Sequence, residues 1–191
     1  MVVRSLQKKS AYCGFSMIEV LVTIVIIAFG LLGLAGQQVR LQMSEMESYQ
    51  RSQALLLLND MANRIATNRN NAPSYITTAA NPLGEGMVCL TATTTAAQRD
   101  LGEWCNALQG ASETTDSGAS KVRALVGGRG CVESVGSDYL VTVVWQGRVP
   151  LSAPPTSVTC GANSYNAVSG SPCVDDLCRR LVTTLVRVAA L

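Results

Sequence analysis

The side chain in most need of a chemical explanation is Glu19. It is the only charged residue between Lys9 and Arg40, and it lies inside an apolar run over residues 15–36. A carboxylate in hydrocarbon costs on the order of a few kcal/mol, so it needs a partner or a task. The rest of the chain offers little to catalysis. With no histidine, the commonest general base and the usual activator of a nucleophile are missing. Asp175-Asp176 is a carboxylate pair in sequence only, because adjacent residues on an extended chain point to opposite faces. Two solvated surface charges are expected there. Gly127-Gly128-Arg129-Gly130 lacks the Gly-Lys-Ser/Thr ending of a phosphate-binding loop and reads as a tight turn. Trp104 and Trp145 are candidate contact anchors, with a core role favoured for Trp145 in its apolar stretch. The expectation is a chain that is not an enzyme and carries no cofactor and no metal.

The apolar run is long enough to cross a bilayer: 22 residues at about 1.5 Å each give roughly 33 Å of helix. A plain anchor explains that length but not Glu19. A secretory signal has its basic region in Arg4, Lys8 and Lys9 and a passable small-residue end at Leu34-Ala35-Gly36. Helical patterning, however, continues far beyond that end. A lipoprotein signal fits poorly, because Ser10-Ala11-Tyr12 before Cys13 follows a basic segment. Apolar positions recur at helical spacing through Met43, Met46, Ala54, Leu57, Leu58, Met61 and Ile65. The Thr67-Asn68-Arg69-Asn70-Asn71 cluster is the expected stop. A helix over 15–68 would be about 80 Å long, its second half lying against a globular domain over 69–191.

The opening residues resemble the type III signal of the type IV pilin-like proteins. A short basic leader, Gly14, Phe15, and then Ser16-Met17-Ile18-Glu19-Val20-Leu21-Val22-Thr23 carry the resemblance, which is strong over residues 8 to about 60. It implies that a prepilin peptidase removes a leader over residues 1–14, cutting between Gly14 and Phe15. Phe15 then becomes the N-methylated first residue, and Glu19 the glutamate that docks each subunit into a fibre. The new amine at Phe15 carries a positive charge close to the Glu19 carboxylate. In a low-dielectric setting a neighbouring subunit's amine is a natural compensator. Neutralisation within the chain, one helical turn away, is the competing option. The resemblance favours pairing between subunits. Where many major pilins have a proline near the end of the apolar segment, this chain has Gly30, Gly33 and Gly36. Their spacing does not match the four-residue helix-dimer motif. Each glycine weakens a helix by about 1 kcal/mol against alanine, which suggests a segment able to stretch.

With the leader gone, the 15 basic side chains fall by three, to 12 against 13 acidic ones. No basic patch survives to recruit nucleic acid, and scattered Arg123, Arg129 and Arg148 do not make a stripe for DNA capture. The leader cations mark the cytoplasmic side and place the C-terminal bulk in the periplasm. Seven cysteines become six once Cys13 leaves, an even number suited to an oxidising compartment. Six cysteines allow 15 pairings. Sequence alone does not choose among them; Cys89–Cys105 and Cys173–Cys178 are near enough in sequence to close local loops, which would leave Cys131–Cys160. Zinc is disfavoured by the missing histidine and the lack of a Cys-x-x-Cys.

Beyond Pro73 the composition turns to Thr, Ser, Ala and Gly, with turns at Asn81-Pro82 and Gly84-Glu85-Gly86. A short helix is expected around 96–101. Strands are expected over 139–146 and 181–188, with weaker ones over 122–126 and 132–135. Pro150, Pro154 and Pro155 fall in the loop between the two best strands. The sum is an α+β, pilin-like architecture: a long N-terminal helix, membrane-spanning in its first half (15–36), packed on a small antiparallel sheet with disulfides.

The resemblance is closest to minor pilins of the PilV type, with the Gly-Phe-Ser-Met-Ile-Glu-Val-Leu-Val start and a cysteine-bearing tail. It implies an assembly-priming, tip-proximal complex that supports pilus biogenesis, adhesion and twitching motility. The implied partners are prepilin peptidase, other minor pilins, the major pilin, the inner membrane, the assembly platform and a tip adhesin. A minor pseudopilin of a type II secretion system shares the leader, the glutamate and the fold. A membrane-anchored periplasmic binding module is the remaining alternative; it predicts no cleavage after Gly14.

Overall fold

The computed structural model describes residues 14–91, 94–110, 125–168 and 170–188. In chain order these form α1 (Met17–Thr67), a 3-10 segment (Arg69–Tyr75), β1 (Leu83–Gly84), α2 (Ala96–Leu108), β2 (Arg129–Val135), β3 (Asp138–Gln146) and β4 (Arg179–Val186). The four strands make one antiparallel sheet in the order β1-β2-β3-β4. This is the α+β, pilin-like class: a long N-terminal helix, a small antiparallel sheet and disulfides. The chain divides into two compact units, Met1–Gln42 and Met43–Leu191.

In the first unit every residue over 14–42 is exposed. α1 runs unbroken through Gly30, Gly33 and Gly36, where an added Cβ would meet nothing within 4 Å. An apolar segment with no polar side has no preferred face to bury within one chain.

In the second unit the same helix becomes one-sided. Gln50, Ala54, Leu58, Met61 and Ile65 are its buried residues, spaced by three and four so that they share one stripe. Met43 and Met46, expected in that stripe, are exposed, and Leu57 sits half-buried at its margin. The helix ends where Asn68 leaves helical geometry at φ −107° and ψ 39°. Its side-chain amide donates to the Tyr75 hydroxyl at 3.0 Å.

α2 is longer than the short helix expected around 96–101. It starts on a capping box: Gln98 N–H donates to Thr95 Oγ1 at 3.2 Å, and Thr95 N–H to Gln98 Oε1 at 3.3 Å. It continues through Gly102 and ends before Gly110, which adopts φ +73°. Trp104 is fully buried and donates its indole N–H to the Leu57 carbonyl of α1 at 2.9 Å. It is a core residue, not an exposed contact anchor. Its ring also explains Gly130, where a Cβ would lie 2.2 Å from Trp104 Cη2.

β3 is central, paired along its length with β2 and β4. Val132, Val141, Val143, Trp145 and Val186 join α1 and α2 in the main core. Cys131, Val144, Cys160 and Tyr165 form a second cluster, with Leu181 packed against it. The strand expected over 181–188 lies instead at Arg179–Val186. Of the strand expected over 122–126, residues 122–124 lie outside the described residues, and Leu125 and Val126 fall in a bend and turn. Three disulfides close Cys89–Cys105, Cys131–Cys160 and Cys173–Cys178, with separations of 16, 29 and 5 residues.

Candidate signal and assembly site

Gly14, Phe15 and Ser16 precede the first turn of α1. The Ser16 carbonyl accepts from Glu19 N–H at 3.0 Å and from Val20 N–H at 3.3 Å, which makes Ser16 the residue that opens the helix. Glu19 therefore lies in the first turn, where a carboxylate is stabilised by the helix dipole. That local role does not need the surrounding apolar side chains. Phe15, Met17 and Ile18 are 82%, 90% and 70% exposed. A Cβ at Gly14 would meet nothing within 4 Å. Among the described residues, packing thus gives no reason for a glycine at position 14 or for bare aliphatic groups around Glu19.

α1 is the one helix among the described residues that is long and apolar enough to cross a membrane. An exposed apolar surface of this extent marks contact with lipid or with other chains. Of the leader expected over residues 1–14, residues 1–13, with Arg4, Lys8, Lys9 and Cys13, lie outside the described residues.

Elsewhere the polar clusters hold the fold. Asp175 and Asp176 both adopt positive φ, at +51° and +61°. Asp175 is exposed, as expected. Asp176 is not a solvated charge: one oxygen accepts from Asn163 N–H at 2.8 Å, and the other lies 3.2 Å from the Arg179 guanidinium. Arg179 is only 3% exposed and donates to the carbonyls of Val158 and Cys160. The pair braces the loop that leads into β4. The glycine run at 127–130 turns at Gly127, φ +62°, and then enters β2. Arg129 stacks over the Tyr165 ring at 5.1 Å, and the Tyr165 hydroxyl donates to the Gly127 carbonyl at 2.7 Å. Burial pushes the Tyr165 pKa up to about 12.

Sequence reasoning missed the junction around Arg64. Its guanidinium reaches Asp60 at 3.0 Å, Asp100 at 2.9 Å and Glu103 at 2.6 Å, joining α1 to α2. Burial works against the Arg64 charge, but the bonds to Glu103, Asp60 and Asp100 outweigh it and hold its pKa above the ordinary guanidinium value. Tyr75 donates to Asp100; burial, followed by that bond, raises its pKa. The helical spacing of Asp60 and Arg64 was the one sequence signal for this junction. Among the described residues no group of three or more acidic, cysteine or histidine side chains could hold a metal ion.

Compared with known proteins, the chain matches no curated protein and no solved structure. One family model does match it: the prokaryotic N-terminal methylation motif, over residues 9–35. The match spans Gly14, Phe15 and Glu19. The chain carries the prepilin signal used by type IV pilins and type II secretion pseudopilins, at the head of a long apolar helix.

Proposed function

We propose that this chain is a minor pilin of a type IV pilus, resembling the PilV type. Prepilin peptidase cuts between Gly14 and Phe15, and Phe15 is N-methylated. The first half of α1 holds the subunit in the inner membrane, with the disulfide-bonded domain in the periplasm, until the subunit is drawn into the fibre. There Glu19 meets the amine of a neighbouring subunit. The role is structural: tip-proximal, priming assembly with other minor pilins and the major pilin, and supporting adhesion and twitching motility through the assembly platform and a tip adhesin.

The observation that carries this reading is the methylation motif over residues 9–35 at the head of an apolar helix whose residues over 17–42 are all exposed. The motif equally supports a minor pseudopilin of a type II secretion system, which is the second reading. Six mature cysteines favour the pilus. Intact mass and N-terminal sequencing, with and without prepilin peptidase, test the common core. The expected product begins at methylated Phe15 only when the peptidase is present. A chain that stays full length, or is cut near Gly36, overturns both readings. Pull-down of subunits from each apparatus then separates pilus from secretion system.

A further inference from the structure

Within the second unit a cavity of about 360 Å³ opens between α1, the sheet and the loop after β3. α1 contributes Glu47, Ser48 and Arg51, and the strands contribute Trp145, Arg180 and Leu181. Leu151 comes from the loop. The size, and the mix of apolar wall with a few polar groups, are those of a small-ligand site. At about 30 Å³ of liquid volume per water-sized atom, there is room for on the order of ten non-hydrogen atoms.

The two arginines of the cavity are in different states. Arg180 is committed to the fold: Nε donates to Glu47 Oε1 at 2.8 Å, Nη1 to the Leu177 carbonyl at 3.1 Å and Nη2 to the Val149 carbonyl at 2.7 Å. Gly147 makes room for it, since a Cβ there would lie 2.7 Å from Arg180 Cζ. Glu47 is therefore neutralised from β4. It is also the only acid three or four positions along α1 from Arg51, the spacing of a helical ion pair. With Glu47 drawn away, Arg51 has neither an ion pair nor a hydrogen bond among the described residues. Ser48, three positions before it, is exposed with an unbonded hydroxyl. Trp145 is 3% exposed, and its indole N–H meets no acceptor. The cavity is thus lined by residues with unused donors and by one uncompensated positive charge.

We infer that this cavity binds a carboxylate carried on an apolar group, with the carboxylate on Arg51 and Ser48 and the apolar part against Trp145 and Leu151. An ionised carboxylate only accepts, and the planar guanidinium matches it with two parallel bonds. Leu151 is 54% exposed, so an apolar body laid on it removes hydrocarbon from water. Glu47 repels an anion in proportion to its charge, which favours a singly charged group over a phosphate dianion. The ligand is a free acid or an acidic residue presented by another protein; the recognising chemistry is the same. The inference does not use the pilin reading.

The test is a titration of the full chain in detergent with hydrocinnamate, with its neutral amide and with inorganic phosphate. Nitrogen-labelled tryptophan gives two indole signals, Trp104 and Trp145. Trp104, held on the Leu57 carbonyl, is the internal reference. Hydrocinnamate should shift the Trp145 signal saturably, by roughly 10 mM for a ligand of this size. The amide and phosphate should bind at least tenfold more weakly. Arg51→Gln should weaken hydrocinnamate about tenfold and Arg51→Lys, which keeps the charge, by less, with the three disulfides and the Trp104 signal unchanged. No saturable shift, equal binding of the amide or of phosphate, or an unchanged affinity in Arg51→Gln overturns the inference. The amide comparison needs no variant, so it decides even if Arg51→Gln does not fold. Once the titration has succeeded, a photoreactive residue at Leu55, which is 41% exposed, reads the source in cells. A crosslink to another protein that is lost in Arg51→Gln identifies a presented acidic residue, and its absence identifies a free acid.

Discussion

Over residues 17–42 α1 buries nothing, whereas from Gln50 to Ile65 it buries a side chain at every third or fourth position. The amino acids do not explain the contrast by hydrophobicity alone, because the stretch with no core is the more apolar one. In the second unit the choice of residue is dictated by the sheet and by α2: Ala54 and Met61 are fully enclosed, and Trp104 reaches across to the Leu57 carbonyl. Among the described residues of the first unit, nothing dictates it. Its side chains answer to surroundings outside the chain, whether lipid, a peptidase or neighbouring subunits. The two stretches should therefore fail in different assays when mutated.

The largest effect is expected at Gly14. Open space around it means that Gly14→Trp should leave the second unit's unfolding unchanged. If the peptidase must fit a small residue there, processing should fall by a hundredfold or more, read as precursor against the Phe15 product by mass. Normal cleavage of that variant would remove the claim that position 14 is read by an enzyme. Glu19→Ala should separate the steps further, with cleavage kept and incorporation lost.

Equivalent truncations in the two stretches come next. Met61→Ala opens a cavity in a closed core and should destabilise the second unit by about 2–5 kcal/mol. Ile24→Ala, at a position 60% exposed, should leave that stability unchanged while weakening membrane or fibre retention. A comparable loss of domain stability from both would break the division drawn between the stretches. Breaking the Cys131–Cys160 bond, which closes a 29-residue separation, should cost about 3–4 kcal/mol on loop entropy. Denaturant unfolding of the double serine variant measures it, and the first stretch has no counterpart.

The class of fold was legible because it rests on long-period signals. Those signals were the apolar run, the helical recurrence through Ile65, and alternation in the stretch that became β3. What stayed hidden depended on contacts distant in sequence. β2 begins in a glycine-rich run that reads as a turn, since Gly130 is small only to admit the Trp104 ring. Gln50 reads as a surface residue, yet it is buried in the apolar stripe of α1. Asp176 reads as solvated until Arg179 is seen buried beside it. The full length of α2 was written in Thr95 and Gln98, a capping box that was readable but overlooked. For Gly14, Phe15 and Glu19 the position is reversed: the sequence pattern says more than the fold, because the described residues pack nothing around them.

The smallest effect concerns pH and the second cluster of the core. Tyr165 is buried, and its hydroxyl is bonded to Gly127 O. Its pKa in the folded chain is pushed up to about 12 from an ordinary 10.0. Between those values the folded state keeps a proton that the unfolded state has released, so stability falls as pH rises. Below pH 10 the contribution is fully present; by pH 12 it is lost. The difference between those values corresponds to about 2–3 kcal/mol at most, and Arg129 over the ring lowers rather than raises that pKa. Tyr165→Phe should flatten this part of the alkaline limb seen in denaturant midpoints, leaving what Tyr75 contributes at the α1–α2 junction. Amide exchange over residues 17–42, compared at pH values on either side of that limb and corrected for the intrinsic rate, should not follow it. If protection in both stretches falls together with the Tyr165 limb, the two are thermodynamically coupled, and the first is not governed from outside the chain.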